Sequence, residues 1–212
     1  MIRRIVLTAL LLAGAAEAQP QGKPEAGCPV GVPPGVFCGE RNAGLATAGE
    51  YVLDELHSAV LARVNHIGYS YSVFRFDEVA GAMKWDPADP AKSSMTITVK
   101  TASINTPVKD FAAALRGEQF MNSAKFPEAT FVSTAFKPAN ATTGKVEGTL
   151  AMLGKTVPVV FDVELVGAGK GFGGAPRIGA TARAWIKPAD FGMLPVFDRP
   201  IEIVADVEFS RK

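Results

Sequence analysis

Apolar and polar residues alternate with a period of two along most of the chain beyond residue 50. In Ser94–Lys100, Met95, Ile97 and Val99 oppose Thr96, Thr98 and Lys100. Val157, Val159, Phe161, Val163 and Leu165 share one face, with Asp162 and Glu164 opposite. Ile178, Ala180, Ala182, Ala184 and Ile186 share another, against Thr181, Arg183 and Lys187. Ile203, Ala205, Val207 and Phe209 alternate with Glu202, Asp206 and Glu208. Repeated period-two segments predict half-buried antiparallel strands. Further strands are predicted at residues 50–54, 58–66, 69–83, 129–137 and 145–152. Turn residues separate them, as at Ala141-Thr142-Thr143-Gly144 and Leu153-Gly154-Lys155.

One segment changes period. Val108, Phe111, Ala112 and Leu115 recur at helical spacing. Thr106 is the expected cap, Pro107 the first helical position and Gly117 the stop. A second short helical turn is predicted at 119–124. The pattern is thus all-β with one short helical insertion. Eight or nine strands of this length suit a closed barrel or a two-sheet sandwich, closure being the arrangement that removes unpaired edges. The small inward residues Ala180, Ala182 and Ala184 leave either a cavity or room for a closely packed helix.

Composition refines this picture mainly at the N-terminus. Arg3 and Arg4 precede an apolar run at residues 5–13, and Ala16-Glu17-Ala18 carries small residues where a signal peptidase reads. A signal peptide over residues 1–18 is expected, and with it a periplasmic or secreted location. The run is shorter than the roughly 17–25 residues that span a bilayer, so no integral membrane span is expected. Residues 19–49 are rich in Pro, Gly and Ala and read as an extended, weakly ordered arm. Cys28 and Cys38 sit close together in this exported context, which favours a disulfide over a metal pair. Lys and Arg number 22 against 21 acidic residues, with no basic block, so nucleic acid is not an expected partner.

Catalytic chemistry has little to build on. The two histidines are His57 and His66. Asp54, His57 and Ser58 are residue types of a hydrolase triad, but they are nearly adjacent and no G-x-S-x-G is present. Hydrogen bonding at a barrel rim is the plainer expectation for them, and polar contact to a ligand head group the functional rival. No third ligand marks a zinc site. The glycines of 167–174 lack the Lys-Ser/Thr of a phosphate loop and read as a mobile hairpin end.

Several motifs fall in a specific order. They are Tyr51-Val52-Leu53-Asp54 with His57-Ser58; Val64-Asn65-His66-x-Gly68; Gly81-Ala82-Met83-Lys84-Trp85-Asp86-Pro87; and Ala102-Ser103-Ile104-Asn105-Thr106. Then come Phe120-x-x-x-x-Lys125-Phe126-Pro127, Ala129-Thr130-Phe131-x-Ser133-Thr134, Val146-x-Gly148-x-Leu150, Gly154-x-x-x-Pro158-Val159 and Ala189-Asp190-Phe191-Gly192-Met193. In this order the chain resembles the YceI-like family of exported polyisoprenoid-binding proteins. Departures lie at Gly154-Lys155-Thr156, where a His and a basic residue are common, at Ile186-Lys187-Pro188-Ala189, where an Asn-Arg pair is common, and at residues 74–79, which lack a Gly-x-Phe.

The resemblance implies a domain at 50–210 folded as an antiparallel, lipocalin-like β-barrel of about eight strands. It implies a polyisoprenoid, either a polyprenyl phosphate or a quinone, or a similar long amphiphile in the interior, with the protein as carrier or reservoir. It brings no catalytic residues, no metal and no cofactor beyond the bound isoprenoid lipid. The expected wall is Val64, Phe74, Phe76, Met95, Ile97, Val99, Phe131, Val159, Phe161, Ala182 and Trp185. The expected mouth is His57, His66, Tyr71 and Arg183. Two rival readings stand beside the carrier: a stress-related interaction module whose lipid is incidental, and a hydrolase or isomerase using His57 or His66. A homodimer stays open.

Overall fold

A computed structural model describes residues 28, 30–33, 36–194 and 199–212. The signal-peptide expectation at 1–18 lies outside the described residues. Eleven strands follow one another: β1 (Gly49–Leu53), β2 (Ala59–His66), β3 (Ser70–Phe76), β4 (Val79–Trp85), β5 (Ser94–Lys100), β6 (Ile104–Asn105), β7 (Glu128–Pro138), β8 (Thr143–Met152), β9 (Lys155–Lys170), β10 (Pro176–Ile186) and β11 (Ile201–Arg211). One helix, α1 (Phe111–Arg116), stands between β6 and β7.

All pairings between these strands are antiparallel. The ring runs β1-β4-β5-β7-β8-β9-β10-β11 and closes where β11 meets β1, giving an eight-stranded barrel. Tyr51 opposite Arg211 and Leu53 opposite Phe209 make that closing seam. β11 has two neighbours along one edge. Its last residues pair with β1, while Glu202–Asp206 pair with β2. From there β2, β3 and β6 extend the sheet past the ring. Phe74 on β3 packs its ring 6.2 Å from Phe111 of α1, and Phe111 lies 6.3 Å from Phe120. This aromatic stack, with Leu115 and Met121 buried beside it, is part of the apolar core at that end.

Several local expectations change. The predicted strand at 69–83 is two strands, because Asp77 and Glu78 interrupt the ladder. The helix begins at Phe111 rather than at Pro107: Asp110 adopts φ +60°, a left-handed conformation that separates α1 from the Thr106–Val108 turn. Gly117 does end it. Residues 119–124 form turns, with Asn122 at φ +42°. Of the glycines expected at a hairpin end, Gly171, Gly173 and Gly174 do lie in the β9–β10 connection, but Gly167 and Gly169 do not. β9 continues through them, and Gly39 lies on Gly167 so closely that a Cβ on either would sit 3.1–3.2 Å from the other's backbone.

That contact fixes the later part of the N-terminal arm. Glu40 exchanges both backbone hydrogen bonds with Ala168, at 2.9 and 2.8 Å. Arg41 pairs with Glu164 at 3.0 Å. Ala46 is fully buried, and its carbonyl accepts the Trp85 indole N–H at 3.1 Å. The Tyr51 hydroxyl, fully buried with its ring, donates to the Thr47 carbonyl at 2.6 Å. Cys28 and Cys38 form a disulfide that staples the segment just before it, worth roughly 2–3 kcal/mol by loop closure.

Candidate functional site

The inward faces of the ring strands do not fill the barrel. They enclose a cavity of about 250 Å³ whose lining is almost wholly apolar. The small residues matter here. Ala180 and Ala182 line the cavity, whereas Ala184 is packed into the core. Phe76, Met95, Ile97, Val99, Phe131 and Phe161 also line it, together with Ala182 seven of the eleven wall residues expected from sequence.

The remaining four are elsewhere. Val159 is buried in the core but does not reach the cavity. Phe74 is buried against Phe111, and Val64 is half-buried on the core's edge. Trp185 is the clear correction: it stands 56% exposed on the outer wall. It occupies the odd position of Ala182-Arg183-Ala184-Trp185, so pleating alone turns it away from Ala182.

The cavity reaches solvent where β7 turns into β8. Lys137, Asn140, Thr142, Thr143 and Lys145 line this end, and Lys137, Asn140 and Lys145 are exposed. The Asn140 side-chain oxygen accepts the Thr142 and Thr143 amides, both at 2.9 Å, and so holds the turn. Ala43 of the N-terminal segment completes the rim. Lys137 pairs with Glu147 at 2.6 Å and Lys145 with Asp162 at 2.5 Å, both on the exposed surface.

None of the four mouth residues expected from sequence lines the cavity, although Arg183 lies in an outer groove that shares Thr143, Gly144 and Lys145 with the rim. His66 is exposed at the tip of the β2–β3 hairpin. Tyr71 lies on the outer face, with the Arg63 guanidinium 4.9 Å above its ring. Arg183 points outward, 3.4 Å from the buried Glu202, which also pairs with Arg63. His57 ends a short 3-10 turn, Glu55–His57, in the corner between β1 and β2. Pleating places Arg183 outside for the same reason as Trp185, and the other three sit on segments beyond the rim.

The corner containing His57 is held by hydrogen bonds. Asp54 accepts the Leu56 amide at 3.1 Å, His57 Nδ1 at 3.0 Å and Arg177 at 2.8 Å. Arg177 also pairs with Glu208. Ser58 is buried, and its hydroxyl oxygen accepts the Glu208 amide at 3.0 Å. The three triad-type residues therefore brace β1 and β2 against β10 and β11. Burial pushes the Asp54 carboxyl up, but the hydrogen bonds from His57 and Arg177 outweigh it and hold the group below its ordinary value. The hydrogen bond to Asp54 and its charge raise the His57 imidazolium.

The pH dependence follows from these directions. His57 contributes stability that is full below its unfolded value of 6.5 and is lost as pH rises through the higher folded value. Asp54 contributes stability present above its unfolded value of 3.8 and lost as pH falls through the lower folded value. His57→Gln is thus expected to lower the urea midpoint at about pH 5 and to change it far less at about pH 9. Equal losses at both would show that the charge pair contributes nothing.

Among the described residues no group of three His, Cys, Asp or Glu side chains converges as a metal site. No helix among them is long and apolar enough to cross a membrane.

Residues 51–209 match the family described as YceI-like domain. A UPF0312 protein of Shewanella sp. (strain W3-18-1) is 34% identical over 150 residues, covering 70% of this chain and 78% of the relative. A UPF0312 protein of Azotobacter vinelandii is 33% identical over 175 residues, covering 80% and 91%. Among solved structures, BcnA of Burkholderia cenocepacia superposes with a TM-score of 0.64 at 23% identity, over 76% of this chain and 99% of BcnA. A polyisoprenoid binding domain from Saccharophagus degradans superposes with a TM-score of 0.56 at 15% identity, over 76% and 98%. These two likenesses concern the fold.

Proposed function

Because the chain belongs to the YceI-like family, we propose that its barrel is a binding protein for an isoprenoid lipid, a polyprenyl phosphate or quinone, acting as an exported carrier or reservoir rather than an enzyme. The observation that carries this reading is the apolar cavity of about 250 Å³ with one polar, exposed end. Ligand pockets of this kind are mostly apolar with a few polar groups that orient the ligand. An isoprenoid chain left in water is disfavoured by roughly 25 cal/mol per Å² of apolar surface, which the lining removes.

The rim suits a polar head. Lys137 and Lys145 are more than half exposed, and surface ion pairs of that kind are worth about 0–1 kcal/mol. Either ammonium can therefore exchange its carboxylate for an anionic head group at little cost. The disulfide at Cys28–Cys38 agrees with an oxidising compartment. The polyisoprenoid binding named for the Saccharophagus degradans domain agrees with the ligand class.

A second reading has one observation in its favour. Trp185, Tyr71 and Val73 are exposed on the outer wall, where a protein partner could cover them, and the lipid would then be incidental. Organic extraction of the purified protein followed by mass spectrometry separates the two. An isoprenoid lipid near one per chain supports the carrier. A protein that is empty and binds no added isoprenoid would overturn it.

A further inference from the structure

The N-terminal segment is fastened to two strands on opposite sides of the ring. At Ala46 it is firmly held. Ala46 is fully buried, and its carbonyl accepts the indole N–H of Trp85, the last residue of β4. Thr47 beside it accepts the Tyr51 hydroxyl on its carbonyl and the Arg211 guanidinium on its hydroxyl. Earlier in the segment, Glu40 is bridged to Ala168 near the end of β9. In the ring order β4 and β9 stand half a circuit apart, so they face each other across the barrel. The connection between the two fastenings runs over the open end, where Ala43 lines the cavity.

The hold on β9 is lighter. It consists of the paired backbone hydrogen bonds between Glu40 and Ala168, the exposed Arg41–Glu164 ion pair and the seat of Gly39 on Gly167. Exposed ion pairs contribute little, and ordering a segment of this length costs conformational entropy at every residue. β8 pairs with β9 only as far as Glu164, so at Ala168 the segment is the partner on that edge. At the rim, water can replace those two hydrogen bonds. Two features favour the docked state. The Asn42 side-chain oxygen accepts the Gly44 amide at 3.0 Å and caps the short 3-10 turn Ala43–Leu45. Just upstream, the Cys28–Cys38 disulfide ties down the residue that precedes Gly39. A closed loop has fewer conformations to give up, so docking is preorganised.

We propose that residues 38–45 are a strap across the open end of the barrel, which pivots at Ala46 and leaves β9 to admit and release a ligand, and that the disulfide keeps it closed. The proposal rests on the cavity being the ligand site and adds a device that controls access to it. The strap supplies one small side chain, Ala43, to the lining, so it governs the rates of entry and exit more than the affinity.

Stopped-flow mixing with an arylnaphthylamine fluorophore, alongside hydrogen exchange at the Ala168 amide, tests this. Gly39→Val puts a branched side chain where a Cβ alone would lie 3.2 Å from the Gly167 backbone, and should undock the strap. Gly39 is exposed, so the change leaves the core intact. Cys28→Ser combined with Cys38→Ser should undock it less completely. In both, the Ala168 amide should lose protection. Association and dissociation rates should each rise, by about tenfold for Gly39→Val and about threefold for the cysteine pair, with the dissociation constant within about threefold of wild type. Wild-type protein treated with a reductant should behave as the cysteine pair does. Wild-type rates in Gly39→Val despite an unprotected Ala168 amide, or an Ala168 amide still protected in that variant, would overturn the gate. A cysteine variant that keeps both the protection and the wild-type rates overturns the role of the disulfide. A protein that takes up no fluorophore with the strap docked or undocked overturns the lipid reading, and the gate with it.

Discussion

Ala182→Phe is expected to abolish uptake of an apolar ligand while leaving the barrel folded and no less stable. Ala182 lines the cavity, between Val163 on β9 and Ala205 on β11. A phenyl ring added there occupies a volume of about 150 Å³ on the scale of a benzene-filled cavity, more than half of the space available. The ligand loses both the volume and the apolar surface it would cover. A fall in affinity of about a hundredfold or more, close to 3 kcal/mol, should follow. Stability should move the other way. Empty apolar volume costs about 24 cal/mol per Å³, so filling about 150 Å³ offers up to about 3–4 kcal/mol before strain is subtracted. Loss of binding with an unchanged or raised melting temperature is therefore the signature. If binding survives, the ligand site is not this cavity. If binding is lost because the protein unfolds, the space at Ala182 is not open volume.

That residue also shows what can be read from a sequence of this kind. Alternation identifies the inner face of β10 from Ile178 to Ile186, because a strand has only two faces and one is apolar. The same rule places Arg183 and Trp185 outside, and a large aromatic is no exception to it. Alternation fails at Phe136. A register shift between Ser133 and Ala135 adds a residue to β7, so Phe136 lines the cavity although it lies an odd number of positions from Phe131. No local signal in Ser133-Thr134-Ala135 announces a bulge.

Which end of the barrel opens is less legible still. It depends on β1 meeting β11 across the whole length of the domain, and on where α1 and the β2–β3–β6 extension pack. Those are long-range contacts that no window of sequence contains. The rim residues Lys137 and Lys145 therefore look like ordinary strand-end lysines. Ala43 is hidden for a related reason: a Pro- and Gly-rich arm reads as a spacer, yet Gly39 is the residue that lets the arm lie on Gly167 and deliver Ala43 to the rim. The family motifs carry the fold well, because they are spaced across the whole domain. They do not mark which end of the barrel opens.

Gly148→Ala is expected to be the most destabilising single-methyl change in the barrel wall. Its added Cβ would lie 2.3 Å from the Val132 carbonyl oxygen and 2.4 Å from the Phe131 ring. The ring is a side chain with some room on the cavity side. The carbonyl belongs to the β7 backbone, next to the register shift, and can move only by disturbing its ladder with β8. A loss of about 3 kcal/mol or more is the expected result, at the upper end of what overpacking costs. The two clashes can be told apart with a double-mutant cycle. Phe131→Ala on its own should destabilise, since it removes a buried ring. In the Gly148→Ala background it should destabilise by at least about 1 kcal/mol less, because it also relieves the ring clash. The carbonyl clash would remain, so the double variant should not recover wild-type stability. Additive losses would show that Phe131 and position 148 do not touch, and the close Phe131–Phe161 ring contact would then lose its explanation in the missing side chain of Gly148.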